Sequence, residues 1–112
     1  MVPSLVVISR HRVPLQEAKI ALEVLGVQPG CVSATIARST DDFDLLVITT
    51  QWETVGAYRR ALSSYDVKVG AVQLLATAAD ETTAFEVLYH RDAEGVTEHA
   101  GALIERPQRI AD

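Results

Sequence analysis

The sequence predicts an α+β fold, with a four-stranded antiparallel sheet in the ferredoxin-like, split βαβ arrangement and two copies packed as a dimeric α+β barrel. Strand and helix patterns follow one another as strand, helix, strand, strand, helix, strand. The third strand is apolar on both faces, with Leu45 and Val47 on one and Leu46 and Ile48 on the other. Both faces of the sheet therefore need cover, which helices and a second sheet would supply. A length of 112 residues suits one domain.

The first strand and helix are marked by clear local signals. Residues 5–12 begin as a β-branched apolar run and end in polar side chains, which is typical of a strand. Pro14 then stands where a helix begins well, and apolar residues recur at helical spacing as far as Leu25. Gly26 and the pair Pro29-Gly30 end that helix and turn the chain.

Two strands at hairpin distance come next. Residues 31–38 alternate in polarity and are rich in β-formers, a polar turn covers residues 39–42, and residues 43–52 form the third strand. Thr54 is a good N-cap for the second helix, and Asp66 is expected to cap a further short helix that contains Gly70. Residues 82–89 are the predicted last strand.

We expect the folded domain to occupy residues 1–91. From 92 to 112 the chain turns polar, with glycine and proline as punctuation, and this C-terminal tail is expected to be either docked or disordered.

Composition restricts the classes of function. A net charge of -5 argues against a nucleic-acid partner, because phosphate binding needs a basic field. No stretch approaches the roughly 18 apolar residues of a membrane span, and residues 4–8 are interpreted as a strand and not a signal peptide. We therefore expect a cytoplasmic protein. Cys31, the single cysteine, is interpreted as a half-buried apolar side chain.

The candidate site centres on Trp52, the only tryptophan. Side-chain alternation places Ile48 and Thr50 on the Trp52 face of the third strand, and we expect helices to cover the opposite face, through Phe43, Leu45 and Val47. Tyr58 follows on the next helix, and His11, at the polar end of the first strand, is expected at the rim of the same pocket as a candidate base at neutral pH. An apolar slot with few polar groups is typical of small-molecule sites. Each aromatic residue could equally serve packing alone.

The segments Pro29-Gly30-Cys31 and Gln51-Trp52-Glu53-Thr54, with Tyr58, resemble the antibiotic biosynthesis monooxygenase family over roughly residues 5–89. The resemblance implies a small aromatic or polyketide-like substrate, oxidised with dioxygen and without metal or flavin, and pocket aromatics at Trp52 and Tyr58. Members of this kind carry an asparagine four residues before the tryptophan, where this chain has Ile48. A haem-cleaving branch carries a histidine about eleven residues after the tryptophan, near Ser63 here, and this chain lacks it.

The leading hypothesis is a cofactor-independent monooxygenase in a homodimer, with His11 as catalytic base and Ile48, Thr50, Trp52 and Tyr58 as substrate-binding residues. No cofactor and no metal are expected. Two alternatives stay open: a non-catalytic ligand-binding or interaction dimer of the same fold, and an isomerase or cyclase on the same barrel, for which a histidine base would suffice.

Overall fold

The structure is a computed structural model, which describes residues 2–99. The strands of its main sheet are β1 (Leu5–His11), β2 (Cys31–Arg38), β3 (Leu46–Trp52) and β4 (Ala84–Glu86). All neighbouring pairs are antiparallel, in the order β2-β3-β1-β4. The α+β fold with a split βαβ sheet is therefore confirmed. The structure contains one chain and does not show a dimer, so the dimer stays a prediction.

The two longer helices begin at the residues that the sequence predicts. Helix α1 spans Leu15–Gly26 after Pro14, and helix α2 spans Val55–Ser63. Thr54 is the N-cap of α2, as predicted, because its hydroxyl accepts a hydrogen bond from the Ala57 amide at 3.0 Å.

Two short helices replace the single short helix of the prediction. Helix α3 spans Tyr65–Gly70, and helix α4 spans Val72–Leu75. The prediction that Asp66 caps this segment was wrong. Ser64, which precedes Asp66 by two residues, is the N-cap of α3, and its hydroxyl accepts from the Val67 amide at 3.2 Å.

The segment that follows β4 contains a hairpin that was not predicted. The predicted strand over residues 82–89 is shortened to β4, and a hairpin of β5 (Tyr89–Asp92) and β6 (Gly95–Glu98) follows. The hairpin crosses the predicted boundary between residues 91 and 92. The predicted tail covers residues 92–112, of which residues 100–112 lie outside the described residues.

The assignment of the two sheet faces was wrong. The Trp52 face of β3, with Leu46, Ile48 and Thr50, is buried and packs with apolar residues of the helices, whereas Val47 is only half-buried and Phe43 is 77% exposed. The physical reason is that both alternating sets of β3 are apolar, so hydrophobicity alone does not orient the strand. The helices therefore cover the Trp52 side, and the other face is open in the single chain.

The open face of the sheet carries apolar side chains on neighbouring strands. Val6 and Ile8 of β1 lie opposite Gln51 and Thr49 of β3, and Phe85 of β4 lies opposite Val6. Each of these three apolar residues keeps part of its surface exposed. Among the helices of residues 2–99, none is long and apolar enough to cross a membrane.

Candidate functional site

An apolar cavity opens where β1 meets the helices α2 and α4. Its volume is about 380 Å³, and its lining includes Val7 and Ser9 from β1, Tyr58 and Leu62 from α2, and Val72 and Leu75 from α4. The described lining residues carry no charge at neutral pH, and their side-chain polar groups are hydroxyls. The cavity is therefore suited to a small, mostly apolar molecule.

One wall of the cavity is aromatic. The rings of Tyr58 and Trp52 lie with centroids 5.4 Å apart and planes tilted by 53°, a favourable arrangement for two aromatic rings. Trp52 is fully buried behind Tyr58, and its indole Nε1 donates to Thr50 Oγ1 at 2.8 Å. Tyr58 thus faces the cavity on a rigid support, and burial raises the pKa of its phenol, which keeps it neutral.

His11 lies inside the molecule and not at a pocket rim. Its side chain is 1% exposed, and the sequence-based expectation of a rim position was wrong. Two hydroxyls hold the imidazole: Ser9 Oγ is 2.7 Å from Nε2, and Thr77 Oγ1 is 2.9 Å from Nδ1. A polar ring can be buried here because both of its nitrogens have partners.

The surroundings of His11 assign its tautomer. Thr77 Oγ1 donates its one proton to the Leu74 carbonyl at 2.6 Å, so it can only accept from His11. Nδ1 therefore carries the ring proton, and Nε2 accepts from the Ser9 hydroxyl. Burial lowers the pKa of His11, and a hydrogen bond to the Leu74 carbonyl partly opposes that shift. At neutral pH the ring is an uncharged base.

The predicted site residues divide into two groups. Tyr58 lines the apolar cavity, whereas Ile48, Thr50 and Trp52 are buried beneath it in the core and are not part of its lining. His11 is not part of the lining either, but it is hydrogen-bonded to Ser9, which is.

Sequence reasoning missed Ser9 and Thr77. Ser9 was open to detection, since it lies two residues before His11 and so shares its face of the strand. No sequence pattern indicated Thr77 as a partner of His11, because the two residues are 66 positions apart in the chain.

Ser9 also lies beside the position at which the family resemblance expects an asparagine. Ser9 and Ile48 are directly opposite each other in the β1–β3 ladder, so their side chains project from the same face. Ile48 has no hydrogen-bonding group to offer. The Ser9 hydroxyl on the neighbouring strand β1 is nevertheless close to this position and can form hydrogen bonds.

Cys31 is half-buried and packs against the core, as predicted. Burial raises the pKa of its thiol, so the nucleophilic thiolate is disfavoured. Within residues 2–99 no three histidine, cysteine or acidic side chains come close enough to hold a metal ion.

The split βαβ sheet with helices on one face defines a class of proteins, the ferredoxin-like α+β domains, and here an apolar cavity lies between sheet and helices. The sequence profile of one such family, antibiotic biosynthesis monooxygenase, matches residues 15–73 of this chain. The chain belongs to the antibiotic biosynthesis monooxygenase family. No curated protein matches this sequence significantly.

Solved structures agree with this membership. A protein of Chloroflexus aurantiacus J-10-fl, described as belonging to the antibiotic biosynthesis monooxygenases, is 26% identical, with a TM-score of 0.55 and coverage of 75% of this chain and 92% of its own. SnoaB of Streptomyces nogalater, described as a cofactor-independent oxygenase, is 24% identical, with a TM-score of 0.62 and coverage of 77% and 94%. At this identity, the likeness to SnoaB shows the fold alone.

Proposed function

We propose that this protein is a cofactor-independent monooxygenase that acts on a flat aromatic or polyketide-like small molecule. The observation that carries the proposal is the uncharged, apolar cavity of about 380 Å³ that adjoins a buried, neutral histidine. Family membership supports the reaction class.

The proposed reaction starts with removal of a proton from an anthrone-type phenol. The resulting carbanion gives an electron to dioxygen, and the two species combine. Collapse of the oxygenated intermediate converts the CH₂ group to a carbonyl and releases the second oxygen atom as water, so that CH₂ and O₂ become C=O and H₂O. The protein contributes an apolar cavity, orientation of the substrate and a base.

Three of the predicted residues support the substrate from below and one contacts it. Tyr58 would lie against the flat face of the substrate, while Trp52 holds the Tyr58 ring in place. Thr50 fixes the indole through its hydroxyl, and Ile48 packs in the apolar core beside them. His11 is the base, with its free nitrogen turned toward Ser9.

We also propose that the functional unit is a homodimer in which two open sheet faces meet. The support is the half-exposed apolar surface of Val6, Ile8 and Phe85, which a matching face would cover. The site itself lies on the helix side of the sheet.

Oxygen uptake tests the reaction. With 1,8-dihydroxyanthrone as substrate, we expect the protein to consume one dioxygen for each quinone formed, and dialysis against a chelator to leave the rate unchanged. The variant His11→Ala should lower kcat by about 10²–10⁴-fold, the usual contribution of a general base. His90→Ala is the matched control, because His90 lies in the hairpin and pairs with Asp92. No uptake above the buffer rate would reject the oxygenase.

A ligand-binding protein without catalysis is the second candidate. The observation that favours it is Ile48, which offers no hydrogen bond to a substrate carbonyl. Because Trp52 is the only tryptophan and touches Tyr58, quenching of its fluorescence reports occupancy of the cavity. Quenching by the anthrone without oxygen uptake would favour the binding protein.

A further inference from the structure

A chain of hydrogen bonds leads from the apolar cavity into the protein backbone. Ser9 Oγ, which lines the cavity, is 2.7 Å from His11 Nε2, and His11 Nδ1 is 2.9 Å from Thr77 Oγ1. The Thr77 hydroxyl then donates to the Leu74 carbonyl at 2.6 Å. The chain joins β1 to the segment after α4 across the interior.

The direction of this chain follows from its last member. A backbone carbonyl only accepts, so the Thr77 proton points to Leu74, the Nδ1 proton points to Thr77 and the Ser9 proton points to Nε2. Ser9 therefore uses its only donor inward. What it can offer to the cavity is the unshared electron pairs of its oxygen.

The imidazole has no direct access to the cavity. His11 is 1% exposed and is not part of the cavity lining, whereas Ser9, also buried at 4% exposure, is. A proton that leaves a molecule in the cavity therefore reaches Nε2 by way of the Ser9 oxygen.

We propose that Ser9 is the catalytic residue that takes the proton from the bound molecule, with His11 as the base behind it and Thr77 as the positioning residue that holds the reactive tautomer. This inference rests on the proposed function, in which a proton is removed from the substrate. The bond from hydrogen to the substrate breaks as a new O–H bond forms on Ser9. The original Ser9 O–H bond breaks as an N–H bond forms on Nε2, and the electron pair stays on the substrate.

The same geometry restricts the chemistry of the ligand. Because Ser9 can only accept, the group that meets it must be a donor: a phenolic or enolic hydroxyl, or an acidic C–H beside a carbonyl. The neutral phenol of Tyr58, in the same lining, can donate to a carbonyl oxygen. The class selected is therefore a hydroxylated aromatic ketone, with its acidic hydrogen toward β1.

Hydrogen exchange in the absence of dioxygen tests the proton transfer apart from the oxygenation. The probe is 1,8-dihydroxyanthrone in anaerobic D₂O, and the measured quantity is the rate at which its methylene hydrogens are replaced by deuterium. We expect the wild-type protein to accelerate this exchange and Ser9→Ala to lower the acceleration by about 100-fold or more. Ser9→Thr keeps the hydroxyl and should retain it to within about tenfold. Ser33→Ala, at an exposed serine of β2 bonded to Gln51, is the matched control and should equal the wild type.

A second measurement reads the tautomer without any substrate. In the ¹⁵N NMR spectrum of the folded protein, His11 should show a protonated Nδ1 and an unprotonated Nε2. Thr77→Val removes the acceptor and should mix the two tautomers, and Thr77→Ser should restore the wild-type spectrum. A wild-type His11 protonated at Nε2 would overturn the relay.

The outcomes separate this inference from the proposed function. Exchange that depends on Ser9 without any oxygen uptake would reject the oxygenase and keep the relay. If Ser9→Ala catalyses the hydrogen exchange at the wild-type rate, the role of Ser9 is overturned, whatever the oxygen uptake. The same holds if the wild-type protein exchanges the methylene hydrogens no faster than buffer does.

Discussion

Ser9, His11 and Thr50 are polar residues buried on a sheet face that is otherwise apolar. Burying a polar group without a partner costs about 1–3 kcal/mol. Each of the three avoids this cost through a side-chain bond: Ser9 with His11, His11 also with Thr77, and Thr50 with the Trp52 indole. The polar groups nearest the cavity are thereby held in fixed orientations, which is a property that a catalytic group needs.

Burial of His11 should make stability depend on pH. Because its pKa is lowered in the folded state, the unfolded chain binds the proton first as the pH falls through the ordinary value of 6.5. The free energy of unfolding should therefore be highest above pH 6.5 and should decrease below it, until the folded state is protonated too. Urea denaturation at about pH 7.5 and 5.5 measures the difference.

The variant His11→Gln should show a smaller decrease between these two pH values than the wild type. His90→Gln, which alters a histidine paired with Asp92 at the surface, should retain the wild-type dependence. An equal decrease in wild type and His11→Gln would assign the pH dependence to other groups.

The burial of Ser9 and His11 shows where sequence reasoning reaches its limit at this scale. A serine and a histidine at the end of an apolar run are typical of a strand that emerges into solvent. Their burial depends on Thr77, whose contact with His11 spans 66 positions of the chain. Only the tertiary structure brings these groups together, so the pattern could suggest His11 as a base but not its partners.

Gly30 is the residue at which a single added methyl group should be most harmful. Its φ is +88°, and a Cβ there would overlap the Cβ of Ala57 on α2. Gly30→Ala should lower the free energy of unfolding by about 2–4 kcal/mol, from backbone strain and overlap together. Gly95→Ala is the matched control, because φ is +128° and nothing lies within 4 Å of the added Cβ. A cost no larger at Gly30 than at Gly95 would mean that α2 moves away freely.

At the scale of elements, order and type were predictable and orientation was not. The alternation of strand and helix signals predicted the correct topology of the four-stranded sheet, because turn residues such as Pro29 and Gly30 separate its elements clearly, but it did not predict the β5–β6 hairpin. In β3, however, Leu46 and Ile48 on one face and Val47 on the other are equally apolar. The choice of face depends on which side the helices occupy. On the occupied side, a set of small buried residues lets the helices pack closely over Trp52: Ala18, Ala21, Ala57 and Ala61.

Helix α2 carries Tyr58, and its start depends on one hydroxyl. Thr54 Oγ1 accepts from the Ala57 amide, which would otherwise lack a helical partner. Thr54→Ala should lower the free energy of unfolding by about 1 kcal/mol, and Thr54→Ser should lower it by much less. Urea denaturation of the three proteins measures this. Equal stabilities of Thr54→Ala and the wild type would show that packing alone holds the helix end.

At the scale of the whole molecule, the sheet is a single layer with helices on one side. The open side carries Val6, Ile8 and Val47, each partly exposed in the single chain, and Phe85 at 44% exposure. Alternation along β1 and β3 places these side chains on the same face, away from the cavity. Association of two chains through this face would thus leave both sites unobstructed.

The dimer is tested by mass in solution. Sedimentation velocity should give the wild type a mass of twice 12.2 kDa. Ile8→Lys places a charge in the middle of the open face and should shift the protein to a single chain, since an unpaired buried charge opposes association. Val69→Lys is the matched control, because Val69 is 64% exposed on α3, away from the sheet, and it should remain dimeric. A wild-type mass of a single polypeptide would reject the proposed dimer. It would not affect the proposed site, because the cavity, Tyr58 and the hydrogen bonds among Ser9, His11 and Thr77 all lie within one protomer.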